Sequence, residues 1–178
     1  MSQQHSRRQF LKQTAFGVIA LSTSRFIPAA APDIHLPPTI ESQLKFFSPK
    51  EYLIIQAVAE RMVGKLDDKT PDASQVGVAL RADEFLSGAH PEIQEQFHQL
   101  LTVFNAPVFT FLFDFRFSSF INMMPEDQDS YLEDWMTSVL GFRRTGFQAL
   151  KRTTLSMFYT DSQSWKEIGF EGMDVPRQ

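Results

Sequence analysis

Three prolines, Pro49, Pro91 and Pro125, each head a stretch in which apolar residues return every three or four positions. Proline is tolerated in the first turn of a helix, where its missing N–H has no partner to lose, and is costly further in, so this pattern predicts helices that open at these points. The clearest start is Ser48-Pro49-Lys50-Glu51, a serine able to cap with a glutamate three residues later, followed by Tyr52, Ile55, Ala59 and Met62 at helical spacing up to Gly64. Val76, Leu80 and Phe85-Leu86 predict a second helix closing at Gly88, and the run from Pro91 carries Ile93, Phe97, Leu100 and Leu101. Pro125 leads a helix with Glu126 and Asp127 at its positive end and Leu132, Trp135, Met136 and Val139 on one side. A last long helix is expected from about Phe142 to Tyr159, with Phe147, Leu150 and Phe158 inward and Arg143, Arg144, Lys151 and Arg152 on more polar faces.

One segment reads two ways. From Phe109 to Phe117 phenylalanine alternates strictly with other residues, as on a half-buried strand. Read as a helix, Phe109, Phe113, Phe117 and Phe120 form one stripe and Phe111 and Phe115 an adjacent one, and helix is preferred because no partner strand is visible elsewhere. Seven phenylalanines between Phe104 and Phe120 exceed what one inward face needs, which marks part of this surface as a candidate for contact with another protein. The expected fold is all-α, a compact bundle of five or six helices over 48–178. It ends in an irregular aromatic and glycine strap from Phe158 through Trp165 and Gly169-Phe170 to Gly172. Pro32, Pro37 and Pro38, with little periodicity between them, predict that 32–47 is an extended, proline-rich linker.

Charge separates the first 31 residues from the rest. They hold Arg7, Arg8, Lys12 and Arg25 and no acid; without these four of the 17 basic residues, the remainder sets 13 against 21 acids, a net −8. Within 1–31 the order is a basic region, a short apolar core Ala15-Phe16-Gly17-Val18-Ile19-Ala20-Leu21 and a small-residue end at Ala29-Ala30-Ala31. That is the order of an export signal, and the apolar core is too short for a permanent membrane span. The string Ser6-Arg7-Arg8-Gln9-Phe10-Leu11-Lys12 resembles the twin-arginine signal, with Arg7, Arg8, Phe10, Leu11 and Lys12 carrying it, and implies export of an already folded cargo to the periplasm through the twin-arginine translocase. Ala29 and Ala31 have the spacing of a cleavage site, but Pro32 after the cut suits a scissile bond badly, so cleavage after Ala29, or none, stays open.

Chemistry-bearing residues are sparse. With no cysteine, disulfides, iron–sulfur clusters, attached c-type haem and thiol nucleophiles are excluded. His5 and His35 precede the helical body, and His90 and His98 are eight apart, not on one helical turn as paired metal ligands would be. His98 is expected at the surface or its boundary. Neither a G-x-S-x-G, a P-loop nor a G-x-G-x-x-G occurs, and Asp67-Asp68 lacks the spaced oxygens of a calcium loop. No catalytic residue, cofactor site or metal site is assigned to this chain, and a net charge of −4 argues against a nucleic-acid binder, which normally shows a basic surface. The basic pairs Arg143-Arg144 and Lys151-Arg152 stand out on that acidic body as a surface for an acidic partner.

Phe46-Phe47-Ser48-Pro49-Lys50-Glu51-Tyr52, Leu132-Glu133-Asp134-Trp135, Arg143-Arg144 and the run from Phe158-Tyr159-Thr160-Asp161 through Trp165-Lys166-Glu167-Ile168 to Gly169-Phe170-Glu171-Gly172 together resemble the gluconate 2-dehydrogenase subunit 3 family. Two positions depart from its usual tail, Phe170 for tyrosine and Met173 for proline. The resemblance implies a small subunit of a periplasmic, membrane-associated dehydrogenase of sugars, sugar acids or polyols. It implies a large partner subunit of the glucose–methanol–choline (GMC) flavoprotein type that holds FAD and the catalytic residues, and often a cytochrome c subunit. The small subunit is then expected to carry the export signal for the complex and to support maturation of its partner, because flavin is loaded in the cytoplasm and the flavoprotein must cross folded. Arg143, Arg144, Tyr159, Trp165, Gly169, Phe170 and Gly172 are the candidate partner contacts. Read without the resemblance, the residues also leave open an independent periplasmic enzyme using clustered acids, or a free-standing binding or chaperone module.

Overall fold

By its internal contacts the chain divides into two units, Met1–Ile34 and His35–Gln178. A computed structural model describes residues 36–64, 71–114 and 118–165, all in the second unit. The export-signal residues and the linker up to residue 35 lie outside the described residues, as do Gly169, Phe170 and Gly172 of the tail.

The described residues are helical, with no strand among them. In chain order the helices are α1 (Pro38–Glu41), α2 (Pro49–Val63), α3 (Ala73–Val76), α4 (Val78–Ser87), α5 (Pro91–Asn105), α6 (Pro107–Asp114), a 3-10 turn Phe120–Asn122, α7 (Pro125–Thr137), α8 (Gly141–Tyr159) and α9 (Ser162–Trp165). Six of these have eight residues or more, which agrees with the all-α bundle expected from the periodicity. The capping box predicted at Ser48 forms in full. The Glu51 N–H donates to Ser48 Oγ, the Ser48 N–H donates to Glu51 Oε2, and Gly64 closes the helix at φ +66°.

Three expectations are corrected. The linker over 32–47 is not extended in its described part. Leu36, Ile40 and Leu44 recur every four residues around α1, and Leu36 and Phe47 are buried in the main core. The second helix is broken at Gly77, whose left-handed backbone (φ +71°) ends the short α3 that the Asp72–Gln75 capping box begins. The phenylalanine-rich helix is described over Pro107–Asp114, with Phe115 and Phe117 outside the described residues, and Phe120 does not continue its stripe; it sits in the separate 3-10 turn. Polar side chains anchor that turn. Asn105 Oδ1 accepts the Ile121 N–H (3.2 Å), Gln128 Nε2 donates to Phe120 O (3.1 Å), and Thr110 Oγ1 donates to Ser118 O (3.0 Å). Phe120 is thereby swung beneath Phe104, ring centroids 4.7 Å apart.

α8 packs against α2, α4 and α7. Phe104, Phe120, Tyr131 and Trp135 form one aromatic cluster in the core, with centroids 4.7–6.0 Å apart and tilted or edge-on, the arrangement ring quadrupoles favour. The Tyr131 hydroxyl donates to Phe104 O (2.8 Å), a carbonyl near the C-terminus of α5, where helical partners run out. At Gly146, α8 approaches the cluster so closely that a Cβ would lie 2.8 Å from Trp135 Cζ3 and 2.6 Å from Leu100 Cδ1. Leu100 is half-buried and its methyl has room to turn, whereas the Trp135 ring is 2% exposed and held on several sides. Gly146→Ala is therefore expected to destabilise the domain by about 1–3 kcal/mol through overpacking, against the ~1 kcal/mol gain alanine brings to an open helix. Urea unfolding monitored by circular dichroism reads the sign.

Candidate partner-docking surface

The placement of α8 decides which of its side chains reach solvent. Arg143, Gly146, Phe147, Leu150, Thr154 and Phe158 face inward; Arg144, Gln148, Arg152 and Tyr159 lie on the opposite side. With Thr145 and Ala149, the first three of these line an open hollow of about 360 Å³. Tyr159 extends the same face by two helical turns. At the other end, the turn between α7 and α8 exposes Met136, Val139 and Phe142, Val139 at 92%.

The basic cluster of the sequence is thereby split. Arg143, expected on a polar face, is only 5% exposed, and its guanidinium lies over the rings of Trp135 (5.3 Å) and Tyr131 (5.9 Å). Position 143 falls on the arc of Gly146 and Leu150, and a planar guanidinium, more weakly hydrated than an ammonium, stacks there on the two rings. Arg144 is exposed, and Nη1 donates to Ser138 O across the α7–α8 turn. Lys151 and Arg152 are exposed. The hollow thus has guanidiniums, an amide and a hydroxyl to offer. These bind and orient anions, but a guanidinium is no general base near neutral pH, and among the described residues lining the hollow none is a base that could activate Thr145.

The segment after α8 is tied back by Asp161, which is buried. Arg81 Nη2 of α4 pairs with its Oδ2, the Gln163 N–H donates to Oδ1 (2.8 Å), and Ser164 Oγ donates to Phe158 O (2.9 Å) and to Asp161 O (2.7 Å). This fixes α9 against the end of α8 and brings half-buried Trp165 beside Tyr159, indole Nε1–H donating to Tyr159 O (2.9 Å). Of the seven candidate partner contacts, the structure places Arg144, Tyr159 and Trp165 along α8 and at its end, and turns Arg143 into the core against Trp135 and Tyr131.

Where the chain enters the body, a second buried carboxylate does the tying. Asp83 of α4, 1% exposed, accepts the backbone N–H groups of Lys45 (2.7 Å), Phe46 (3.0 Å) and Phe47 (2.7 Å). Sequence reasoning passed over this residue, although Asp83 falls on the inward arc of Ala79, Ala82 and Leu86, where a carboxylate demands donors. Close by, Glu51 Oε1 lies 2.6 Å from His98 Nδ1, Phe46 stacks on the imidazole (4.2 Å), and Ser48 Oγ donates to Glu51 Oε2 (2.7 Å). Serine, glutamate and histidine meet here in the wrong order for nucleophilic catalysis. Glutamate stands between the other two, so the imidazole does not reach the hydroxyl it would have to deprotonate. His98 is at the surface boundary, as expected. Among the described residues, no three His, Asp or Glu side chains gather as a metal site, and no helix is long and apolar enough to cross a membrane.

Two measurements probe this entry point. Asp83→Ala leaves three backbone donors without their charged acceptor and is expected to cost about 3 kcal/mol or more in chemical unfolding. Burial pushes the Glu51 carboxyl up, but its hydrogen bonds to His98 and Ser48 outweigh this and hold it below the usual glutamate range. Its stabilising contribution is therefore complete above that range and lost as the pH falls through the lowered value. Glu51→Gln should melt lower at neutral pH and show a flatter decline of melting temperature under acid; an unchanged acid limb would contradict the assignment.

No match is found among curated proteins or among solved structures. The family model for gluconate 2-dehydrogenase subunit 3 matches residues 49–172, from the first residue of α2 to beyond α9, and takes in the whole outward face of α8. On that span of the helical body, the chain belongs to the gluconate 2-dehydrogenase subunit 3 family.

Proposed function

We propose that this chain is a non-catalytic small subunit of a membrane-associated, periplasmic FAD-dependent dehydrogenase of the GMC type. In this reading it carries the twin-arginine signal that exports the folded flavoprotein partner, and it supports that partner's maturation and stability. Family membership over residues 49–172 is the observation that carries the proposal, since the family is that of a subunit of a dehydrogenase complex. The N-terminal sequence supports the export role: Arg7, Arg8, Phe10, Leu11 and Lys12 precede a weakly apolar core, in a chain with no visible cofactor motif of its own to protect during transport. The surface of α8 supports the binding role. Arg144, Arg152 and Tyr159 are displayed outward, and the described residues lining the hollow around the two arginines include no acid–base pair of the kind hydrolysis requires. FAD and the reacting groups belong to the partner in this scheme, with a cytochrome c subunit as electron acceptor where one is present.

Replacing Arg7 and Arg8 by lysine, with the partner subunit followed by cell fractionation, tests the escort role. The folded flavoprotein is expected to remain in the cytoplasm and periplasmic dehydrogenase activity to fall to background. A flavoprotein that still reaches the periplasm in normal amount would contradict the role.

A further inference from the structure

The sequence between Thr137 and Thr160 contains Arg143, Arg144, Lys151 and Arg152 and no acidic residue, in a chain whose net charge is −4. With Arg143 turned into the core, the basic character of α8 at the surface comes from Arg144, Lys151 and Arg152. Among the described residues, no carboxylate is within ion-pair distance of any of the three. Acids are close in sequence, since α7 holds five of them. Three of these have other engagements: Asp129 lies 3.7 Å from Arg61, and Asp127 and Asp134 are engaged within the chain. Among the described residues a positive stripe is thus left unneutralised on an acidic body, with apolar side chains at both ends, Val139 and Phe142 on one side and Tyr159 on the other.

We infer, resting on the function proposed above, that this stripe is the docking face for the large subunit, and that what it receives is an acidic segment of that protein with two carboxylates spaced to reach Arg144 and Arg152 together. Eight residues of helix separate these two, about 12 Å along the axis. A partner helix with acids two turns apart, or an extended segment with acids four residues apart, spans that distance. Both guanidiniums present forked donors, which a carboxylate engages two bonds at a time, and Gln148 between them supplies an amide for a neighbouring backbone or side-chain group. The exposed apolar residues at the two ends supply the area that ion pairs alone lack, since rim charges steer association and set register more than they contribute affinity. An anionic membrane is a poorer match, because polybasic membrane segments use roughly four to eight clustered cations and this stripe offers three on a net-negative chain.

The test uses the full-length chain, tagged at its C-terminus and produced in its native host. Wild type, Arg144→Glu/Arg152→Glu and Arg144→Lys/Arg152→Lys are compared for capture of a large subunit identified by mass and by bound flavin absorbance. Circular dichroism melting confirms that each variant is folded. Charge reversal is expected to lower capture by about tenfold or more, the lysine pair to retain most of it, and added salt to weaken capture by wild type. Equal capture by wild type and the reversed variant overturns the docking face and leaves the proposed function standing. A wild-type chain that captures no flavoprotein overturns both. If the purified wild-type chain is a dimer by light scattering and reversal makes it monomeric, the stripe serves a second copy. If wild type floats with phosphatidylglycerol vesicles and reversal abolishes flotation but not capture, it serves lipid; either result overturns the inference.

Discussion

The approach of α8 to Trp135 across Gly146 is the constraint from which the functional surface follows. Because position 146 carries no Cβ, the helix settles onto the indole ring at a distance no other residue allows, and its rotation about its own axis is then set. Phe147, Leu150 and Phe158 turn into the core, Arg143 folds over Trp135 and Tyr131, and Arg144, Gln148, Arg152 and Tyr159 are left facing solvent. A helix interior ordinarily loses stability at glycine. Here the loss is offset by the contact it permits, and the outward display of Arg144, Gln148 and Arg152 is a consequence of that packing.

Two buried carboxylates on α4 and at the end of α8 hold the chain where it enters and leaves this body. Asp83 gathers three consecutive backbone N–H groups just ahead of α2, and Asp161 joins Arg81 of α4 to the turn that leads into α9. α4 therefore grips the segments on both sides of the bundle. Such ties keep the two ends of the described body from fraying out of the fold.

Much of the fold was legible because helices carry their own punctuation. The capping box at Ser48, the prolines at 91 and 125 and the glycine at 64 stand at the observed boundaries, since each acts through its own backbone chemistry and needs no distant partner. What was not legible depends on tertiary contacts. Phe120 belongs to a separate turn because Asn105 and Gln128, distant in sequence, supply its hydrogen bonds. Arg143 was read as a surface charge because charge predicts exposure; that two aromatic rings wait beneath it is set by how α7 meets α8. Arg144 and Tyr159 were recognised as candidates from the resemblance, but that they share one face with Gln148 and Arg152 follows only from the orientation of the helix. Asp83 was visible as a carboxylate on an apolar arc and was passed over because solvated acids dominate this chain.

The proposed function is a division of labour, with leader and docking surface on this chain and flavin chemistry on its partner. Separating the purified complex into its subunits and measuring flavin content and substrate-dependent dye reduction in each fraction puts that division to the test. Flavin and all activity are expected to stay with the large subunit, and the small chain to be colourless and inactive. Flavin bound to the isolated small chain, or turnover by it alone, would contradict the division.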